Sequence, residues 1–236
     1  MFRLIADRYH GKVITPESAR TIITLNRDIP HRDLGESIIP YATARDMVLS
    51  AGEDLALFQC SCKTSNPEPC RIMEKPYNSC ILIGTVLVNY LTSHHPRIST
   101  RLTRAEALEK LERFHSMGLV HCAWFKNVLK DQMYVICNCC SCCCLGFHST
   151  RLGIRQIAPS GYAARVDAAR CRGCGGCAVS CPFGAITIVN GTSMVDVQKC
   201  GGCGVCIDRC SVGARRLERV TSGTRPLDIA ALTGGR

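Results

Sequence analysis

The sequence predicts an α+β protein made of two unlike parts, and two observations carry that prediction. In the last third, the stretch from Arg165 to Cys171 matches the stretch from Met194 to Cys200 at an offset of 29 residues. Cysteines and glycines continue the match, so a βαβ unit repeated twice explains it. Residues 1–158 show helical spacing instead, followed by two short apolar runs that predict a β-ribbon.

The clearest predicted helix of the N-terminal part spans 103–117. Thr103 and Glu106 form a capping box at its start, and Gly118 stands where a C-terminal glycine belongs. The runs 119–125 and 133–136 then predict two paired strands. A helix followed by such a ribbon is typical of a winged-helix element.

Four further segments complete the N-terminal prediction. Residues 16–25 and 39–50 have helical spacing, 55–59 is a short apolar run, and 80–91 is an apolar stretch that we interpret as a buried helix. We therefore expect a mainly helical N-terminal domain with a winged-helix-like β-ribbon.

In the C-terminal part, 185–189 and 193–197 predict strands joined by an Asn190-Gly191 turn. Glycine, proline and serine punctuate the chain between 151 and 161, so we place a boundary there. The predicted organisation is a cysteine-rich domain at 1–158, a second domain at 159–220 and a mobile or docking tail at 221–236.

The composition points to bound metal. The chain has 19 cysteines in 236 residues. Its N-terminus shows no apolar run typical of a secretion signal, and no stretch is long enough to span a bilayer. We therefore expect a cytoplasmic protein, where thiols stay reduced and serve metals rather than disulfides. The net charge of +10 favours an acidic partner surface.

The most specific motif is Cys171-x2-Cys174-x2-Cys177-x3-Cys181-Pro182, repeated at Cys200, Cys203, Cys206 and Cys210. This spacing is typical of [4Fe–4S] clusters held by thiolates, in which the fourth cysteine ligates the other cluster. We assign Cys171, Cys174, Cys177 and Cys210 to cluster one. Cluster two takes Cys200, Cys203, Cys206 and Cys181. Paired zinc sites are the alternative, but zinc favours two CxxC pairs with a spacer.

Residues 163–218 resemble the bacterial-type two-[4Fe–4S] ferredoxins. The resemblance implies a ferredoxin-like (βαβ)2 fold with two low-potential clusters and a role in electron transfer. One departure is Ser211, which stands after Cys210 where the first repeat has a proline.

Eleven more cysteines precede residue 150. Cys60, Cys62, Cys70 and Cys80 form the set that we favour for a third cluster. A second dense run consists of Cys137, Cys139, Cys140, Cys142, Cys143 and Cys144, from which we do not choose ligands. These segments predict one or two further iron–sulfur clusters, with a structural zinc site or a reactive thiol patch as alternatives. Cys122 is interpreted as a packing residue.

The CxC loop and the ICNCCSCCC segment, ahead of a two-cluster module, also resemble an uncharacterised group of 4Fe–4S-binding proteins. The histidines add little to the ligand prediction. We expect His115 on the exposed face of its helix. His148, directly after the cysteine run, is interpreted as having no metal role.

Three functions follow as hypotheses. The first is an electron carrier or subunit that relays low-potential electrons to or from an anaerobic oxidoreductase, with an acidic redox protein or a catalytic oxidoreductase subunit as partner. The second is an iron–sulfur enzyme with its own active site at 137–144. The third is a redox-sensing DNA-binding regulator, which the lack of a basic recognition helix disfavours, so we do not expect nucleic acid as a partner.

Overall fold

A computed structural model describes residues 9–17, 54–126, 132–154 and 156–221. The helix predicted at 39–50 and most of the one predicted at 16–25 lie outside these residues. The same holds for the predicted tail beyond residue 221. Across the described ranges the chain combines short helices with largely antiparallel sheets, which confirms the α+β class.

A seven-stranded sheet dominates the described part of the N-terminal region. Its spatial order is β4-β2-β3-β6-β5-β1-β7, and all neighbours are antiparallel except β1 and β7. The strands are β1 Tyr9–Ile14, β2 Leu55–Gln59, β3 Asn78–Ile83, β4 Ser99–Leu102, β5 Val120–Lys126, β6 Gln132–Cys139 and β7 Ile157–Ala158.

The prediction of a mainly helical N-terminal domain is therefore wrong for the residues that the structure describes. Between residues 54 and 154, the described helices beside the sheet are α1 Ser61–Thr64, α2 Thr85–His94, α3 Arg104–Ser116 and α4 Leu145–Arg151. The buried helix expected at 80–91 is also corrected. The chain stays extended to Ile83, and Gly84, with φ 104°, separates strand β3 from helix α2. A short apolar run alone does not distinguish a buried strand from a buried helix.

Helix α3 and the strands after it match the prediction closely. The capping box between Thr103 and Glu106 is present, and Gly118 adopts φ 82°. Strands β5 and β6 pair with each other, but β5 also pairs with β1 and β6 with β3. The ribbon therefore lies inside the sheet, whereas a wing would project from it.

The C-terminal part repeats a strand–helix–strand unit. Its elements are β8 Tyr162–Val166, α5 Gly176–Val179, β9 Ile186–Val189, β10 Thr192–Val195, α6 Val205–Asp208 and β11 Arg215–Arg219. Strand β8 pairs with β11 and β9 with β10, so the first and last strands close the unit. The predicted hairpin is confirmed, since Asn190 and Gly191 both have positive φ in its turn.

The two parts share a hydrophobic core. One buried cluster unites Val13 and Val120 of the large sheet with Cys203 and Val205 of the C-terminal unit. His115 was expected on an exposed face but is buried, and its ring contacts Asp208 at the end of α6. Arg209 also donates a 2.8 Å hydrogen bond to the Ser116 carbonyl. None of the described helices has the length and apolar character that a membrane crossing requires.

Candidate metal centres

Ten of the eleven N-terminal cysteines converge beside the large sheet, in two neighbouring groups. Sheet register explains the convergence: Cys137 lies opposite Cys80 across β3 and β6, and Cys137 and Cys139 share one face of β6. We call the larger group the thiol ring. Its members are Cys60, Cys62, Cys80, Cys137, Cys139 and Cys144. The smaller group, the thiol quartet, consists of Cys70, Cys140, Cys142 and Cys143.

The members of the thiol ring contact one another in a closed circuit. Cys60 interacts with Cys62 and Cys80, and Cys80 lies 3.7 Å from Cys137. Cys137 interacts with Cys139, Cys139 with Cys144, and Cys144 with Cys62. Strands β3 and β6, the short helix α1 and the start of α4 each contribute, so the circuit depends on the tertiary fold.

The thiol ring lines a cavity of about 430 Å³, which we call the chamber. Its remaining wall includes Leu82, Trp124, Tyr134 and Gly146, and Cys140 of the thiol quartet also reaches it. The indole Nε1 of Trp124 is buried without a hydrogen-bond partner in the part of the chain that the structure describes. Soft thiolates around an apolar cavity form a donor set that suits an iron–sulfur core.

Lys63 supplies a buried positive charge at the chamber. It is 1% exposed, and its Nζ donates to Ser79 Oγ and to the Asn138 carbonyl, each at 2.8 Å. Burial alone would lower the pKa of Lys63, but neighbouring thiolates, Cys60 first among them, raise it above its usual value. Lys63 therefore stays protonated and offsets negative charge at the thiol ring.

Hydrogen bonding shifts the pKa values of the thiol-ring cysteines in opposite directions. Donation from Cys62 and Cys80, aided by the charge of Lys63, lowers the pKa of Cys60 well below that of a free thiol. Hydrogen bonding with Cys139 and Cys80, together with burial, raises the pKa of Cys137. At least one thiolate is therefore ready to bind metal near neutral pH.

The thiol quartet is the tightest group of cysteines. Cys70 Sγ lies 3.6 Å from Cys140 Sγ and 3.9 Å from Cys142 Sγ, and Cys142 Sγ lies 3.6 Å from Cys143 Sγ. All four sulfurs fall within 4.8 Å of one another. Cys70 comes from the loop before β3, and the other three come from the turn between β6 and α4.

These groups differ from the predicted third-cluster set of Cys60, Cys62, Cys70 and Cys80. The structure keeps three of those cysteines in the thiol ring and places Cys70 in the thiol quartet. It also divides the 137–144 run, with Cys137, Cys139 and Cys144 in the ring. His148 contacts the run through its Nε2, 3.1 Å from the Cys142 carbonyl.

The eight cysteines of the C-terminal motif surround two further cavities. Cys171, Cys174, Cys177 and Cys210 line one, and Cys181, Cys200, Cys203 and Cys206 line the other. Each cavity thus combines three cysteines from one repeat with the last cysteine of the other repeat. The structure brings together the two predicted sets, and ligation by each cysteine stays a prediction.

The backbone around these cavities fits thiolate-bound clusters. The amide of Ala185 donates to Cys181 Sγ at 3.4 Å, and the amide of Ala214 donates to Cys210 Sγ at 3.2 Å. Gly202, with φ 65°, leaves no room for a side chain, since a Cβ there would lie 2.2 Å from both Ser160 Oγ and the Tyr162 carbonyl. Tight loops and N–H donors to sulfur are what such clusters require.

The two cavities differ in the exposure and the pKa values of their cysteines. Hydrogen bonds from the amides of Gly173 and Ser193 lower the pKa of Cys171 in the first cavity, where Cys174 is exposed. Burial raises the pKa of Cys206 to about 11 in the second cavity, where Cys203 is also buried. One cysteine of the first cavity, Cys174, therefore faces solvent, and one cysteine of the second, Cys203, lies in the shared core.

Comparison with known proteins bears on this C-terminal unit. A family model described as a 4Fe-4S dicluster domain matches residues 163–211. Residues 163–211 form a ferredoxin-like iron–sulfur module. The matched span contains all eight motif cysteines, the last of which is Cys210. The module therefore covers both repeats. No curated protein matches the chain.

Sequence reasoning missed Lys63 and Trp124 as residues of the site. An isolated lysine is ordinarily exposed, so the sequence gives little reason to place Lys63 in a buried site. Its position directly after the CxC pair is the only local signal for such a role. Cys122 is buried, as the packing interpretation requires, but it also hydrogen-bonds with Cys139 of the thiol ring. That position depends on pairing between β5 and β6 and has no sequence signature.

Proposed function

We propose that the protein is an iron–sulfur electron carrier or electron-transfer subunit in which the chamber holds a third cluster beside the ferredoxin-like module. The observation that carries the proposal is the shared core. Cys139 and Cys144 of the thiol ring lie in the same buried cluster of side chains as Cys203 of the module. Electron transfer needs such proximity, and a protein interior between the centres excludes water from the path.

Cys122 occupies the space between the two groups. It is fully buried. Burial raises the pKa of the Cys122 thiol, and negative charge on Cys144 and on Cys203 raises it further. The order thiol ring, Cys122, Cys203 thus connects the chamber to the second module cavity. The first cavity lies beyond it and opens to the surface.

The chamber suits a cluster for three reasons. Its thiolates are soft ligands, Lys63 offsets their charge, and the indole N–H of Trp124 is a donor without a partner among the described residues. A cube requires four thiolates, and we propose that Cys60, Cys62 and Cys80 supply three. The fourth comes from Cys137, Cys139 or Cys144.

The partner docks at the first module cavity in this proposal. Apolar side chains of the first repeat are exposed, with Ile188, which lines this cavity, at 37% and Val179 at 92%. Arg172 lies on the surface beside Cys174. An apolar patch with basic residues fits an acidic redox protein or an oxidoreductase subunit, and low-potential electrons fit an anaerobic enzyme.

The test compares EPR spectra of the full chain after reduction by dithionite under anaerobic conditions. We expect the double variant Cys62→Ser with Cys144→Ser to lose about one spin of about three, because each reduced cube contributes one unpaired electron. Ser61→Ala is the matched control, since Ser61 lines the chamber without a thiol. Identical spectra for the double variant and the wild type would refute the third cluster.

A second candidate function is catalysis in the chamber, and the excess of thiols favours it. The ring offers six thiols where a cube takes four, and the cavity exceeds the volume of a water molecule many times. An enzyme of this kind would leave an iron position open to substrate. Cyanide added to the reduced protein should then change the EPR signal of the chamber cluster and leave the module signals unchanged. An unaltered chamber signal would support the carrier.

A further inference from the structure

We propose that the thiol quartet of Cys70, Cys140, Cys142 and Cys143 binds a single tetrahedral Zn²⁺, at a site separate from every iron–sulfur cluster of the protein. The proposal rests on the geometry of the quartet and does not depend on a cluster in the chamber. It assigns Cys70 to a structural role that differs from the electron-transfer role predicted for it.

The sulfur spacing matches one ion. Zn–S bonds of about 2.3 Å at tetrahedral angles place neighbouring sulfurs about 3.8 Å apart. Three pairs of the quartet lie at 3.6, 3.6 and 3.9 Å, and every pair falls within 4.8 Å. A cube binds each thiolate to a different iron at a separate corner, so its four sulfurs are held farther apart than around one ion.

The module cysteines provide an internal comparison. Within the residues that the structure describes, the quartet is the one group whose ligand atoms are close enough to hold a single ion. The eight module cysteines lie in described residues too, and they surround cavities rather than a point. The module cysteines, where clusters are expected, therefore form no single-ion group, whereas the quartet does.

The surroundings of the quartet complete the site. The side-chain Nδ2 of Asn66 donates to Cys143 Sγ at 3.3 Å, and the backbone N–H of Arg71 donates to the Cys142 sulfur. Cys70, Cys140 and Cys143 are buried. Four thiolates fill the four positions of a tetrahedral ion and leave none open, which is typical of a structural zinc site with donors outside it.

A structural ion explains how the loop between α1 and β3 is fixed. Residues 65–77 contain no helix or strand, and most of their side chains are exposed. Cys70 and Tyr77 are the buried exceptions. An ion that joins Cys70 to the turn at 140–143 ties this loop to the end of β6.

The first measurement uses the wild-type full chain, purified anaerobically without added metal. We expect about one zinc per chain, and X-ray absorption at the zinc edge should give four sulfur neighbours at about 2.3 Å. Zinc below one tenth of an equivalent would overturn the proposal, and so would a shell containing nitrogen or oxygen. A single iron with four sulfur ligands in place of zinc would overturn the choice of ion.

The second measurement compares two variants for zinc and iron. Cys70→Ser should lower zinc at least tenfold and leave iron unchanged, whereas Cys62→Ser should leave zinc unchanged. Loss of about four irons in Cys70→Ser would show that the quartet holds a cluster and would overturn the proposal. An iron loss confined to Cys62→Ser concerns the chamber alone, so failures of the two proposals are distinguishable. Should Cys70→Ser not fold, the wild-type absorption spectrum decides.

Discussion

At the scale of single residues, Lys63 shows how a charge can be kept inside a protein. A lysine that is 1% exposed would ordinarily lose its proton, but it is surrounded by thiols and makes two 2.8 Å hydrogen bonds. The thiolates and the ammonium stabilise each other, so neither is an unpaired buried charge. Such an arrangement is expected beside an anionic cofactor.

Replacing Lys63 should change the reduction potential of the proposed chamber cluster. We expect Lys63→Met to lower that potential on the order of 100 mV. One charge about 6–8 Å away contributes about 2–3 kcal/mol at an effective dielectric of about 20, and about 1.4 kcal/mol corresponds to 59 mV for one electron. Redox titration followed by EPR measures the shift. Lys63→Arg keeps the charge and should shift the potential much less; equal shifts in both variants would contradict the electrostatic role.

Gly202 provides a second prediction at this scale. A Cβ at Gly202 would lie 2.2 Å from the Tyr162 carbonyl, and its φ is 65°. We expect Gly202→Ala to lower the free energy of unfolding by about 3 kcal/mol, because backbone overlap adds to a left-handed conformation that costs about 1–2 kcal/mol. Gly153→Ala is the matched control, with φ 78° and no atom within 4 Å of the added Cβ. Equal losses on denaturant unfolding would show that the overlap has no effect.

At the scale of elements, the sequence predicted what depends on local signals. The capping box of Thr103 and Glu106 fixes the start of α3, and the Asn190-Gly191 turn fixes the β9–β10 hairpin. The strand at 78–83 was missed because its residues are buried on both faces and show no alternation. The position of the β5–β6 ribbon inside the sheet was not predicted, because the strands on either side of it, β1 and β3, are distant in sequence.

The contact between α3 and α6 carries a prediction for the packing of the two parts. Arg209 donates to the Ser116 carbonyl at the C-terminal end of α3, where a cation is favoured. We expect Arg209→Ala to destabilise the protein by about 1 kcal/mol and to speed hydrogen exchange at residues 116–119. Arg216→Ala is the control, since it removes an exposed ion pair with Glu218 within β11. Unchanged exchange at 116–119 would mean that the contact does not join the two parts.

At the scale of the whole molecule, the cysteines could be grouped from sequence only in part. The eight module cysteines come from two contiguous segments whose spacing defines their sets, and the structure brings those sets together. The N-terminal groups depend on which strands are neighbours: Cys137 reaches Cys80 through the β3–β6 register and Cys122 through the β5–β6 register. No spacing rule could separate Cys70 from Cys60, Cys62 and Cys80.

The resulting arrangement runs from the chamber beside the large sheet to the first module cavity. The thiol ring lies beside the shared core, the second module cavity lies within it, and the first cavity opens toward exposed apolar and basic residues. A protein built in this order can accept or deliver electrons at one surface and pass them to a centre beside the large sheet. The central claim is that the chamber contains a cluster.

Iron and acid-labile sulfide per chain, measured on anaerobically purified wild-type protein, test that claim most directly. Two clusters in the module and one in the chamber predict about twelve irons and about twelve sulfides, since each cube contains four of each. A count of about eight of each would contradict the account, because the module alone explains that number and the thiol ring would then hold no cluster.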